Sequence, residues 1–549
     1  MSPHETSDTV KGAHENLRHD DIADLERLDS KNGVDSPRLV SDPELEGLTL
    51  YEKKALLVNQ ELDRQGMGRY QWMIFLLCGF GYFLDLLWAQ AFGLVVPQMQ
   101  YEFGFSDPEL GNIFVCFSAG LTAGAAFWGI VVDIIGRYWA FNFTVLFSSI
   151  FGLFIGVSNT YTAVLILTAF VGIGVGGNIP IDTTITLECL PQNRRWLLPT
   201  LSIFQPLGVV ICSAIAYGFI PKNSCGPDDS CATVEAGQRC CQKADNWGWR
   251  YTMFTLGAIT MGVFLARFVI FRFQESAKWL LYRGRDEEAV KVLQYIAKYN
   301  KRECHVSLES FEALQDDTSS AGTGDSSRPV LGSGVLQKDA AIKDKLVLEL
   351  QRYKYLFSSW QMARFTILVW ITYMWDYWGF SIAGSFLPTI LIRKGTDLGL
   401  TTDDTYRSFV YIYLFGIPGV LLGTTIYRWR QLSLLLSSAL FGAMLFTFTA
   451  VNDQPSYIGI NGLVYFFQSM FNAILYGWTP ESFPAPVRGT ACGMASFWGR
   501  IFSIIAPIAA SRVLAHSENG VLYLAGGGVW IATICIVLMP RKYFGTQSY

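Results

Sequence analysis

Two short stretches, Tyr82-Phe83-Leu84-Asp85 and Tyr373-Met374-Trp375-Asp376, decide how this chain is read. Each lies in a long apolar run and is followed at the same spacing by a glycine and a proline. These are Gly93 and Pro97 in the first copy, and Gly384 and Pro388 in the second. The copies are offset by 376 − 85 = 291 residues. A carboxylate at bilayer depth costs roughly 2.5–3.5 kcal/mol on insertion scales. Two of them at matching places predict two related halves built around a polar path.

The rest of the sequence agrees with a membrane body. Of 549 residues, 51% are hydrophobic and only 16% charged, with 39 Phe, 25 Tyr and 16 Trp. Soluble domains carry roughly 25% charged residues. Apolar runs long enough to span a hydrocarbon core fall near 72–97, 110–132, 139–157, 162–190, 197–219 and 251–271. A second set falls near 362–391, 407–427, 432–451, 458–477, 490–513 and 519–540. The expected fold is an all-α polytopic membrane protein with twelve transmembrane helices in two six-helix halves.

The charges are concentrated outside those runs. Residues 1–70 read as a disordered, acidic cytosolic tail without a cleaved signal peptide. Residues 71–271 form the first half and 359–541 the second, with a short tail at 542–549. The block 272–358 between them reads as a cytosolic loop. Within it, Ala289, Leu293 and Ile296 share one face of an amphipathic helix over 286–300, and 315–340 has the composition of a flexible linker. Basic residues after span six (Arg272, Lys278, Arg283, Arg285, Lys291 and Lys298) place that block inside. Both termini are then cytosolic, and the plasma membrane is the expected location. The loop after span five lies outside and holds Cys225, Cys231, Cys240 and Cys241. Disulfides are favoured there over a zinc site because the loop has no His, and three connectivities are open.

A second pattern repeats at nearly the same offset. Glu188-x-x-Pro191-x-x-x-Arg195 ends span four and Glu481-x-x-Pro484-x-x-x-Arg488 ends span ten, 481 − 188 = 293 residues later. Tandem halves of this kind build many secondary transporters. Gly129-x-x-x-Asp133-x-x-Gly136-Arg137, between spans two and three, resembles the signature loop of the major facilitator superfamily. Gln274-Glu275-Ser276-Ala277-Lys278-Trp279-Leu280 and Tyr476-x-x-Thr479-Pro480-Glu481 resemble its sugar-porter-like branch. The closest type is that of the synaptic-vesicle proteins and organic-ion transporters, in a fungal-looking form. The second signature loop has shrunk to Gly423-x-x-x-Tyr427 with Arg428 and Arg430, without its acid. Thr168 stands where sugar porters have a span-four arginine.

The resemblance implies alternating access without a cofactor or metal. It places Asp85 where proton-coupled sugar porters carry their titrating acid; a structural acid is the competing reading. It also implies that Asp133, Arg137, Glu188, Arg195, Glu481 and Arg488 gate the cycle. From the residues themselves, Asn178 and Asp182 share a stripe in span four. There Pro180 removes a backbone donor and frees a carbonyl near Gly176. Arg500 in span eleven needs a carboxylate, either Asp376 or Asp182, or else meets an anionic solute through its fork. Arg267 is expected to snorkel from a span end. Gln205, Trp88 and Trp378, with Phe92, Trp375 and Trp498, are further candidates for the path. The expected function is secondary transport of a small polar or charged organic solute, an organic anion or sugar-like, by proton symport. Proton-driven efflux and a non-transporting sensor are the alternatives. The expected partners are the solute, protons and membrane lipids, with no nucleic acid, and the chain is read as a monomer. No Gly-x-x-x-x-Gly-Lys loop is present for nucleotide, and an enzyme is not expected.

Overall fold

The computed structural model describes residues 50–544, apart from 195–196, 227–228, 233–238, 271–272, 321–353, 355, 452 and 484–486. The chain begins its described part with a helix, α1 (Leu50–Gln65), and then enters the membrane body. The first half comprises α2 (Arg69–Phe103), α3 (Asp107–Ile135), α4 (Arg137–Val157), the broken pair α5 (Tyr161–Gly176) and α6 (Asn178–Cys189), α7 (Phe204–Phe219) and α8 (Gly248–Leu265). Three short helices follow: α9 (Ala277–Tyr282), α10 (Asp286–Asn300) and α11 (Leu308–Ser320). The second half comprises α12 (Trp360–Asp397), the broken pair α13 (Thr402–Leu414) and α14 (Gly416–Thr425), α15 (Arg430–Phe448), α16 (Gln454–Ser482), α17 (Arg488–Leu514) and α18 (Glu518–Leu538).

Eleven spans among the described residues are long and apolar enough to cross a membrane. The twelfth, α12, is 38 residues long. It is diluted by Asp376 and by a run of Trp and Tyr, which lowers its apolarity without shortening it. This is the twelve-helix, two-half architecture expected from the repeats.

Residues 50–65 correct the expectation of a disordered tail reaching residue 70. They form an amphipathic helix that buries Leu57, Val58 and Leu62. That face packs against α10, whose Ala289, Val290, Leu293 and Ile296 are buried in turn. The contact is pinned by polar groups. Lys54 pairs with Asp286. Asn300 accepts from the Tyr70 amide at 2.9 Å and donates to Gln71 at 2.9 Å. The short helices thereby form a platform joined to the first turn of α2. The expected linker is also shorter at its start, because 315–320 complete α11; residues 321–340 lie outside the described part.

At the opposite end of the bundle, Cys225 pairs with Cys241 and Cys231 with Cys240. The loop they close is tied to the end of α2. The Cys231 amide donates to the Tyr101 carbonyl at 2.9 Å, and Asn246 donates to Gln98 at 2.8 Å. Arg250, fully buried, grips Glu102 with both guanidinium nitrogens at 2.6 and 2.7 Å.

The two halves are sealed together at this disulfide end. One apolar cluster runs through both, joining Val95 and Met99 to Ile390, Leu391 and Tyr457. Tyr406 donates to the Leu94 carbonyl at 2.9 Å. Arg393 of α12 chelates Asp107 of α3 at 2.7 and 3.2 Å. Near the other end, a second cluster (Phe365, Met470, Trp478, Phe483, Val487) belongs to the second half alone.

Candidate functional site

The interface between the halves encloses a cavity of about 130 Å³ beyond the seal. Asp85 and Gln90 of α2, Ser118 of α3 and Gln205 of α7 reach it from the first half. Tyr377 and Ser381 of α12, Tyr413 of α13, and Arg500 and Ser503 of α17 reach it from the second. Tyr465, Gln468, Asn472 and Tyr476 complete the lining from α16.

Helical spacing explains why these side chains converge. Residues 465, 468, 472 and 476 recur at intervals of three and four, so they form one polar stripe down an apolar helix. Tyr377, Ser381 and Ser385 do the same on α12. The stripes were visible in the sequence as polar residues at helical period within apolar spans. Neutral amides and phenols are common in apolar spans, so residue type by itself does not mark them as lining a cavity.

Asp85 and Arg500 face the same space with opposite charge, and the field of Arg500 reaches Asp85. Arg500 also donates to the Leu121 carbonyl of the first half at 3.2 Å. Its expected carboxylate partners are engaged elsewhere. Asp182 lies 3.6 Å from Arg267, and Asp376 accepts from Tyr476 at 3.3 Å. Several buried polar atoms around the cavity lack partners. Asn472 Oδ1 has none, and Gln90 Nε2 and the Tyr413 hydroxyl approach each other without a hydrogen bond of normal geometry. Leaving such groups unpaired costs about 1–3 kcal/mol each, so the cavity is built for a polar occupant.

Of the other expected path residues, the structure places the five aromatics outside the cavity lining. Trp88 is fully buried within the first half and donates to Thr260 at 3.2 Å. Trp378 donates to the Leu524 carbonyl at 3.2 Å and packs on Trp375 and Phe502. Phe92, Trp375 and Trp498 are likewise absent from the lining, whose rings are Phe114, Phe117, Phe380 and the four tyrosines. Large indoles fit helix–helix seams better than a small polar space.

Asn178 and Asp182 sit behind the cavity rather than in it, where only their neighbour Ile179 is exposed to the space. The helix breaks at Gly177, and near the break the Ile173 carbonyl accepts from Trp128 of α3 at 3.0 Å. Gly172 and Gly176 lie against the Phe117 and Leu121 carbonyls, where a Cβ would come within 2.5 and 2.2 Å. These glycines serve close packing, as small residues spaced by four commonly do. Arg267 corrects the snorkelling expectation. It is 1% exposed, stacks on Phe141 at 3.8 Å, and donates to the Phe141 and Leu77 carbonyls at 3.1 and 2.9 Å. Gly81 leaves room for the Asp182 carboxylate, which a Cβ there would strike at 1.5 Å.

Among the described residues, the motifs at the linker end form an ion pair in each half. Arg137 meets Glu188 at 3.4 Å, and its amide donates to Glu275 at 2.9 Å. Arg430 meets Glu481 at 2.7 Å. Both partners of the second pair stand 293 residues after those of the first (430 − 137 = 293; 481 − 188 = 293). The shrunken signature loop therefore keeps its arginine in register. The side chains of Asp133, Arg195 and Arg488 lie outside the described part.

Twelve spans in two halves thus surround a polar cavity. The chain belongs to the Major Facilitator Superfamily, whose family model matches residues 76–507. It is 33% identical to MFS siderochrome iron transporter 1 of Ceriporiopsis subvermispora, over 96% of this chain and 97% of that protein. It is 32% identical to an uncharacterised MFS-type transporter of Schizosaccharomyces pombe, over 91% and 90%. Among solved structures it is similar in fold to the proton:xylose symporter XylE bound to 6-bromo-6-deoxy-D-glucose. That likeness has a TM-score of 0.61 at 17% identity and covers 87% of this chain and 97% of the symporter. The protein is a secondary transporter embedded in the membrane, and neither the family nor these relatives indicate a catalytic activity.

Proposed function

We propose that this protein is a proton symporter for a small organic anion of about single-ring size. The observation that carries this is the Asp85–Arg500 pair of opposite charges facing one small cavity. Drug-sized sites run to roughly 300–1,000 Å³, and the free space here is well below that. Arg500 offers two parallel donors to a carboxylate. The amide and phenol stripe of α16 offers neutral hydrogen bonds to the rest of the solute.

Coupling follows from charge balance. With the cavity empty, ionised Asp85 and Arg500 compensate each other. An anion seated on Arg500 removes that compensation and leaves a net negative charge in a poorly solvated space, which is costly. Asp85 then takes a proton, and the loaded cavity is neutral when the halves rock. On this reading the disulfide end is outside, both termini are cytosolic, the membrane is the plasma membrane, and the closed disulfide end describes an inward-facing state. The Arg137–Glu188 and Arg430–Glu481 pairs brace the linker end of each half for the reverse movement.

Uptake into proteoliposomes under an imposed pH gradient tests the proposal. The panel holds single-ring carboxylates, neutral sugars, amines and an iron–siderochrome complex, the last because of the name of the 33% relative. Carboxylates are expected to accumulate with the gradient, and Asp85→Asn is expected to keep exchange while losing the gradient's effect. Gradient-driven accumulation that persists in Asp85→Asn would falsify the coupling role. Accumulation of neutral sugars or amines alone would overturn the anion class.

A further inference from the structure

The acid of the second repeat occupies a different setting from that of the first. Asp376 is 1% exposed and does not line the cavity. One oxygen accepts from the Tyr476 hydroxyl at 3.3 Å; the other has no partner. Tyr476 itself lines the cavity, so a single phenol separates this carboxylate from the solute space.

The groups around Asp376 are almost all phenols. Tyr373 and Tyr377 come from its own helix, and their rings lie 5.9 and 6.4 Å from that of Tyr476 on α16. Cys492 of α17 lies beside Tyr373. Arg500, about two turns further along α17, acts on Asp85. Among the described residues, α2, α13 and α18 present no charged group that acts on Asp376. An ionised carboxylate held by one phenol in such a place is uncompensated, and the effective cost of a lone buried ion is several kcal/mol. The protonated acid is neutral and is suited to this site.

We infer that Asp376 is a second proton-binding site, loaded from the cavity through Tyr476. This rests on the transport reading above but not on the role given to Asp85. The step balances as a relay. A hydronium ion in the cavity gives a proton to the Tyr476 oxygen, the phenolic proton passes to Asp376 Oδ2, and water is left behind. The phenol ends unchanged and the acid is neutral; the reverse sequence discharges it.

Infrared spectra of the purified protein test the site without transport. A carboxylic acid C=O band is expected near neutral pH that survives Asp85→Asn and is missing from Asp376→Asn. Tyr476→Phe keeps the ring packing, so the band should remain while its hydrogen–deuterium exchange slows at least tenfold. In proteoliposomes, Asp376→Asn is expected to lower the number of protons taken up per solute, by half where Asp85 carries the other and to none where it does not. The inference fails if no acid band maps to Asp376, or if Asp376→Asn leaves the proton count per solute unchanged. Should Asp85→Asn leave coupled uptake intact while the band still maps to Asp376, the role of Asp85 falls and this one stands.

Discussion

The two halves repeat each other in sequence yet hold their charges differently. Asp85 faces the cavity opposite Arg500, whereas its counterpart Asp376 is sealed behind Tyr476. Asp182 makes an ion pair with Arg267 inside the first half; 293 residues later stands Leu475, fully buried and apolar. At the linker end the opposite holds, because Arg137–Glu188 and Arg430–Glu481 are the same pair made twice. Duplicated architecture is retained where it braces helix ends. It diverges around the cavity between the halves.

The largest expected effect breaks the asymmetry inside the first half. Removing one partner of a fully buried ion pair costs roughly 3–5 kcal/mol. Asp182→Ala should therefore sharply lower the midpoint of thermal unfolding in detergent. The double change Asp182→Leu with Arg267→Met, which makes this site resemble Leu475, should recover most of it. Failure to recover would mean that Arg267 matters mainly through its bonds to the Phe141 and Leu77 carbonyls.

Next comes the cavity. Hydrogen bonds to charged groups are worth about 1.5–3 kcal/mol, so Arg500→Lys, which keeps charge but loses the fork, should weaken apparent affinity on the order of tenfold. Transport assays across a concentration series would read this as a raised KM with a smaller change in maximal rate. An unchanged KM would remove Arg500 from solute contact.

A smaller effect is expected at the seal. Arg393 and Asp107 are 31% and 27% exposed in their side chains, so screening limits the pair to about 1 kcal/mol. Arg393→Ala should shift the resting population toward the state open at the disulfide end by roughly fivefold. Ser511→Cys, placed where α17 meets Gly111, would report this as faster labelling from that side.

The smallest effect compares the repeated pairs directly. Glu188→Gln and Glu481→Gln should each change the transport rate modestly. The side chains are 13% and 17% exposed in the first pair and 13% and 44% in the second, and pairs that still reach water contribute about 1 kcal/mol or less. Exchanging the charges in Arg430→Glu with Glu481→Arg should restore more activity than either change alone. A large difference between the two glutamine variants would show that the halves share the pair but not its use.

Much of this was legible in particular residues. The Tyr-x-x-Asp repeat and the Glu-x-x-Pro-x-x-x-Arg repeat carried the twofold architecture, and the crowding of four cysteines marked the disulfide loop. Asp85, which the repeat and the family resemblance single out, lines the cavity, as do Gln205 and Arg500. Asn178 and Asp182, which share a helical stripe, and the aromatics Trp88 and Trp378 do not. A periodic pattern shows which residues share a helix face, but not which neighbour that face meets. The α16 stripe shows the cost of favouring charge, because its neutral amides and phenols supply more of the lining than the ionisable residues do. Arg430 was legible too, since its offset from Arg137 equals that between the two glutamates.

What the sequence determined by itself is the membrane body, its twelve spans and its duplication. Each follows from local properties: apolar length, helical period and repeated spacing. Only the tertiary structure decided which charges meet. Partner choice depends on how helices from two halves rotate and close against one another, and side chains hundreds of residues apart compete for the same few sites. Arg267 took Asp182, Tyr476 took Asp376, and Asp85 was left facing Arg500 across the cavity.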